Sequence, residues 1–353
     1  MPDVFAGYAF IALLLPGASA GRLSLLERYG ISLLAFLSIE MHNTILALAI
    51  ILMLSVATLA WLGRVWRRQF RNLLIWISAP LALALCFNLA YATAVAFARG
   101  AAPSNPPYLM ARVLADGPGR LYLRDACAHQ VRYELCNYAD RPLDDVNQIL
   151  WDTGPNTGVF MLATADSKLH LIQEERRFVV QTILHYPVAE LSTMAVHAVQ
   201  LLPRNDIAGE LSLSPTSWQQ MQLGELAPRA DGPARASLAF RRAYPFGFVD
   251  AVNGIALFFA LGFVFWRFTR VDALLALRSE KTEAIEIRVF GVTALALLLW
   301  VVCNALLSGA ISGVFARYQA RILWLIPMFA LLVFLRFGRS PNTHLVAALR
   351  TMH

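Results

Sequence analysis

The chain has 353 residues, of which 58% are hydrophobic and only 15% charged, against about 25% charged in an average soluble domain. That balance excludes an ordinary soluble globular protein and predicts an integral membrane protein. The formal net charge of +7 does not point to nucleic acid, because the arginines gather at the ends of apolar blocks and no nucleic-acid-binding motif occurs.

Val4 to Leu15 is a short apolar run ending at Pro16-Gly17. Ala18-Ser19-Ala20 has the small residues of a signal-peptidase site, yet Asp3 stands where a basic n-region belongs, so a first membrane helix over about 4–20 is preferred to a cleaved signal. Arg22 to Tyr29 is amphipathic and suits the membrane interface. The apolar run from Ile31 to Leu62 exceeds the roughly 20 residues of one span. Glu40, His42 and Asn43 interrupt it, dividing it into a half-buried segment at 31–39 and a full helix at 44–62. Arg64, Arg67, Arg68 and Arg71 then form a basic cluster without acids. The positive-inside rule places that cluster in the cytoplasm and His42 on the outer side. Asn72 to Ala98 returns outward, with Pro80 as an expected kink and Asn88 as a buried polar group needing a helix neighbour.

The one long polar stretch, 99–248, is therefore expected outside, in the periplasm of a Gram-negative host. It begins Pro-rich at Pro103, Pro106 and Pro107, as a linker leaving a membrane does. Helical spacing covers Tyr108 to Ala115 and Leu121 to Ala128, with Gly117-Pro118-Gly119 between them; the strongest helices are Lys168 to His185 and, after Pro187, Val188 to Leu202. No run alternates as a strand does. Irregular segments are expected at Asp152 to Thr157 and Gly209 to Arg241.

Val249 to Trp266 crosses back, and the loop after it holds Arg267, Arg270, Arg278, Lys281 and Arg288, again on the cytoplasmic side. Val289 to Val314 crosses outward, Phe315 to Arg321 makes a short outer turn, and Ile322 to Leu335 returns to Arg336, Arg339 and a cytoplasmic tail at 340–353. The fold expected is thus all-α: a multi-pass inner-membrane protein with about six spans (about 4–20, 31–62, 72–98, 249–266, 289–314 and 322–335). One mainly helical periplasmic domain stands between the third and fourth.

Three constellations carry the chemistry. Cys127 and Cys136 have eight residues between them in a domain read as exported, where oxidation favours a disulfide over two free core thiols; closing so short a loop is worth about 2 to 3 kcal/mol. His129 alone makes no metal site of them, and neither a metal nor a cofactor is expected. Glu40, His42 and Asn43 are either a cavity lining at membrane depth or headgroup-level residues that end a helix. Near the end of the penultimate span, Asn304, Ser308, Gly309, Ser312 and Gly313 fall at three-and-four spacing, and the GxxxG predicts close helix packing. The next turn, Ala316-Arg317-Tyr318-Gln319-Ala320-Arg321, sets two guanidinium groups beside an aromatic ring at the membrane surface. Such a pair suits a phosphate or pyrophosphate headgroup, the alternative being interfacial anchoring.

Met1-Pro2-Asp3-Val4-Phe5-Ala6-Gly7, the Glu40-Met41-His42-Asn43-Thr44 break and the Arg317-Tyr318-Gln319 turn resemble parts of bacterial polytopic membrane proteins related to the GT-C glycosyltransferases. The resemblance covers the membrane half of the chain and implies a role in envelope glycoconjugate assembly, with a polyprenyl-phosphate-linked sugar handled at the outer face. Arg317, Tyr318 and Arg321 would then bind the lipid phosphate, and Glu40, His42 and Asn43 would line the cavity. The acidic pair that such enzymes carry in a first outer loop has no counterpart here, and the first motif stands at residue 1. Either further helices precede Met1, or the chain is a reduced, non-catalytic relative; no catalytic residue is assigned. The alternative function is a non-enzymatic scaffold or accessory subunit that docks other membrane subunits through its periplasmic domain. Membrane lipids are partners in both readings.

Overall fold

The computed structural model describes residues 4–19, 22–62, 67–100, 105–129, 133–206, 236, 245–269 and 282–337. Expectations about residues 1–3, Arg64, the loop from Arg270 to Lys281, most of Gly209 to Arg241, Arg339 and the tail at 340–353 lie outside them. The described chain is helical, with no strand. Its helices are α1 (Phe5–Ala18), α2 (Leu25–Glu40), α3 (Asn43–Leu62), α4 (Arg67–Arg99), α5 (Tyr108–Ala115), α6 (Pro118–Ala128), α7 (Val146–Trp151), α8 (Ala165–His185), α9 (Pro187–Leu201), α10 (Phe246–Thr269), α11 (Thr282–Ile311), α12 (Ala316–Leu323) and α13 (Leu325–Phe337). Among the described residues, five stretches are long and apolar enough to cross a membrane: Asn43–Trp61, Phe70–Ala98, Phe246–Thr269, Val289–Ile311 and Ala316–Phe337. The first segment expected to span, α1, has 14 residues. At 1.5 Å per residue that is about 21 Å, short of the roughly 30 Å hydrocarbon core.

The chain divides into two compact units. The first takes Met1–Cys86, Phe246–Asn304 and Arg317–His353. In it α1 packs on α2 and α3, and α10 on α13. Its core runs through Ala9 and Leu13, Ile45, Leu48 and Leu52, Ile77 and Leu81, and Trp300 and Val301, all buried. The Phe10 ring meets Trp300, Tyr8 meets Trp324, and Phe290 meets Phe329 and Phe337. Two boundaries differ from the sequence reading. The stretch Arg22 to Tyr29 is continuous with the segment at 31–39: Ser24 and Glu27 form a reciprocal capping box, and α2 runs unbroken from Leu25 to Glu40. Nor is Phe315 to Arg321 a turn, since Ala316 starts a strongly amphipathic helix that lasts to Leu323. α4 continues through Pro80, and α10 leaves Phe258, Phe259 and Phe265 largely exposed, as lipid-facing side chains are.

The second unit takes Phe87–Pro245 and Ala305–Ala316, so Asn88 falls in it; that side chain is exposed instead of buried. Pro107 precedes α5, Gly117 (φ +106°) turns the chain into Pro118 at the start of α6, and Thr164 caps α8 by accepting the Ser167 N–H. Leu114, Leu135, Ile149, Leu150, Leu171 and Phe178 are fully buried at the centre. Around Phe178 the Tyr122 and Tyr133 rings pack edge-on at 5.5 and 5.4 Å, with their hydroxyls 3.1 Å apart. Long-range carboxylates replace local caps: Glu175 of α8 accepts the Leu109 N–H at 2.7 Å, and Glu174 accepts the Glu134 N–H at 2.9 Å. Cys127 and Cys136 are joined in a disulfide that packs on this core.

Candidate functional site

In the first unit, two constellations that are far apart in the sequence come together. α2 ends at Glu40, and His42 accepts the Thr44 N–H through Nδ1 at 3.2 Å, so the imidazole caps α3. The polar interruption in the apolar run is therefore a helix junction. Its ring lies 6.4 Å from that of Tyr318 on α12. Both arginines of α12 flank the same tyrosine, Arg317 at 5.2 Å and Arg321 at 5.3 Å from the ring centroid. They are four residues apart, one helical turn, which puts both guanidinium groups on one side.

The two arginines are held differently. Arg317 is exposed. Arg321 is 6% exposed and donates from Nη2 to Asn304 Oδ1 at 3.0 Å. Asn304 in turn donates to the Tyr318 carbonyl at 2.7 Å and to Gln319 Oε1 at 2.9 Å, and Gln319 donates to the Val301 carbonyl at 3.2 Å. Asn304, read from the sequence as part of a packing stripe, is thus the hub that fixes α12 against α11. Trp324 Nε1 donates to the Arg321 carbonyl where α12 gives way to α13. Glu40 is half-buried and Asn43 exposed. An apolar cavity of about 610 Å³ in this unit is lined instead from α1, α3, α4 and α11, by Leu14, Ile51, Leu59, Phe70 and Val292 among others.

The second unit holds a charge cluster that sequence reasoning missed. Arg112 on α5 and Asp116, the residue that caps its C-terminal end, stand one turn apart and pair at 2.7 Å, their side chains 6% and 1% exposed. The Arg112 guanidinium also donates to the Gly309 carbonyl at 3.0 Å and to Nδ1 of His197. A guanidinium has no lone pair to offer, so His197 must present an unprotonated Nδ1 there. Glu190 lies two turns before His197 on α9, fully buried, with neither carboxyl oxygen hydrogen-bonded. Burial raises the Glu190 carboxyl to about 7, the charge on Asp116 adding to this and Arg112 opposing it. Burial likewise raises Asp116 to about 6 against the pull of Arg112. It lowers His197, in the same direction as the neighbouring guanidinium does.

Gly309 is what lets these helices meet. A Cβ there would sit 2.8 Å from the Ala198 nitrogen and 3.0 Å from the His197 carbonyl carbon. Close helix packing therefore holds at this glycine. Gly313 does not share in it, since α11 ends at Ile311 and Gly313 adopts φ +148° beyond it. The spacings of four between Arg112 and Asp116 and seven between Glu190 and His197 are visible in the sequence as same-face pairs, but an exposed ion pair has the same spacing. Among the described residues no group of three or more His, Cys, Asp or Glu could hold a metal ion. No family model, curated protein or solved structure matches this chain.

Proposed function

We propose that this multi-pass membrane protein binds the phosphate of a polyprenyl-phosphate-linked sugar at the outer face of the bacterial inner membrane. Its role in envelope glycoconjugate assembly is then like that of the membrane half of GT-C glycosyltransferases. One observation carries the reading: Arg317 and Arg321 flank a single ring, Tyr318, and His42 reaches that ring from the junction of α2 and α3. Interfacial anchoring needs only a cation on a long stem. It asks for neither a second arginine buried and aligned by Asn304 nor an aromatic ring that both arginines share. Arg321 supplies a fixed positive charge, Arg317 the exposed fork, and Tyr318 the surface on which both are held. The reading assigns no catalytic residue.

The test is binding of a polyprenyl phosphate to the full chain in nanodiscs. Losing the exposed charge-assisted contact in Arg317→Ala should weaken binding at least about tenfold, and Arg317→Lys should recover only part, because an ammonium keeps the charge and loses the planar fork. Equal binding by all three proteins would overturn the phosphate role. The accessory-subunit reading would then lead, and a specific feature favours it. The outer side of α9 presents Val188, Leu191 and Val199 at 79%, 63% and 66% exposure, an apolar stripe at helical spacing of the kind that partners cover.

A further inference from the structure

Within the second unit a cavity of about 710 Å³ opens between the length of α6, the first turns of α9 and the segment that follows Tyr138. That volume is in the range of small-molecule sites, roughly 300 to 1,000 Å³. Arg120 and Arg124, one turn apart on α6, and Arg141 line it. Among the described residues none of the three is paired with a carboxylate within 4 Å. Asp116 also borders the cavity, but its charge is met by Arg112; Asp140 is the other acid on the wall. The cavity is thus net positive, and three guanidinium groups around one space repel each other unless something neutralises them. Arg141 is the best prepared of them: it lies over the Tyr138 ring at 4.9 Å, and its Nη1 is shielded from solvent with no hydrogen-bond partner. A buried donor of that kind is costly to leave unmet.

The rest of the polar lining has the complementary character. Ser192 and Thr193 both line the cavity and both donate their hydroxyl hydrogens to the Ala189 carbonyl, at 2.8 and 3.0 Å. Each therefore offers the cavity lone pairs only, and Asp140 is an acceptor as well. A bare anion has no donors for those acceptors. A molecule that carries both an anionic group and several hydroxyls satisfies both sets of groups, as a sugar phosphate does. We infer that the cavity between α6 and α9 is a binding site for a phosphorylated saccharide, with Arg120, Arg124 and Arg141 on the phosphate and Ser192, Thr193 and Asp140 on the hydroxyls. The inference is independent of the phosphate role of Arg317, since no residue is shared.

Calorimetric titration of the full chain in detergent, at low ionic strength, tests it with three probes: glucose 1-phosphate, inorganic phosphate and glucose. Glucose 1-phosphate should bind saturably and more tightly than inorganic phosphate, with glucose weakest. Arg141→Gln should weaken glucose 1-phosphate at least about tenfold. So should the pair Arg120→Gln with Arg124→Gln, whose side chains are exposed, so that loss of folding cannot explain the effect. Arg176→Gln, on the exposed face of α8, removes the same charge outside the cavity and should change nothing. Ser192→Ala with Thr193→Val should weaken glucose 1-phosphate and spare inorganic phosphate. Absence of saturable binding, or arginine variants that bind like the wild type, overturns the site. Glucose 1-phosphate binding no tighter than inorganic phosphate overturns the saccharide assignment.

Discussion

A carboxyl group buried with neither oxygen hydrogen-bonded is most stable while it keeps its proton, which makes Glu190 a residue through which pH acts on this fold. Its ordinary value is 4.5 and burial raises it to about 7. Between those values the folded chain holds a proton that the unfolded chain has lost, so stability is greatest below about 4.5 and falls as pH rises toward 7, by at most about 1.4 kcal/mol per unit for one proton. Asp116, raised from 3.8 to about 6, acts in the same direction over a lower window. His197 acts in the opposite one, because its lowered value makes the unfolded state the better proton acceptor in mild acid. The contribution of Glu190 is isolated by Glu190→Gln, which has nearly the shape of the protonated acid and cannot ionise. The melting temperature of Glu190→Gln minus that of the wild type should climb steadily from pH 4.5 to 7 and level off above it. A difference that stays flat across that window would show that the carboxyl ionises freely and is not buried as described.

At the scale of elements, the approach of α9 to α11 turns on a single missing side chain. A methyl at Gly309 would lie within 3.0 Å of the backbone of Ala198 and His197, and backbone cannot step aside as a flexible side chain can. Gly309→Ala should therefore destabilise the second unit by about 1 to 3 kcal/mol and loosen the Arg112 contact with the Gly309 carbonyl. Gly262→Ala makes the control: it sits inside α10 with nothing within 4 Å of the added atom, so the better helix propensity of alanine leaves its melting temperature level or higher. Equal losses in the two variants would mean that the penalty is not local crowding. The same pair of helices marks what the sequence could disclose. Gly309 announced close packing through its spacing, but its partner was hidden, because helical periodicity names a face and never the element it meets. Polar residues inside an apolar run are conspicuous, so His42, Tyr318 and Arg321 stood out before any geometry was known. Arg112 with Asp116, and Glu190 with His197, are spaced to share a helix face, but that spacing reads alike for a buried pair and a solvated one. The start of α2 is legible in a different signal: Ser24 and Glu27 have the spacing of a capping box, which sets the helix start at Leu25, ahead of the apolar run that begins at Ile31.

For the whole molecule, the number of crossings constrains every functional assignment. α4 has 33 residues, about 50 Å of helix, and its stretch Phe70–Ala98 outlasts a hydrocarbon core of roughly 30 Å. If it crosses once, Arg68 and Gly154 lie on opposite sides. The stretches Phe246–Thr269, Val289–Ile311 and Ala316–Phe337 then add three crossings, which brings the C-terminus back to the side of Arg68. The third of these is the least regular, since α12 and α13 meet at Trp324. Arginine asymmetry gives the expected orientation: Arg67, Arg68 and Arg71 stand at the first turns of α4 and Arg267 in the last turn of α10, and the positive-inside rule assigns such ends to the cytoplasm. The disulfide between Cys127 and Cys136 agrees, because such bonds persist outside the reducing cytoplasm. Alkaline phosphatase, active only after export, should therefore be active when fused after Gly154 and inactive after Arg68 and after His353. Equal activity at Arg68 and Gly154 would mean that α4 does not cross. Activity at His353 together with Gly154 would mean that the broken helix pair α12 and α13 turns back within the membrane, and a full reversal would put Arg317 and Tyr318 on the cytoplasmic face, where an outward-facing lipid phosphate does not reach them.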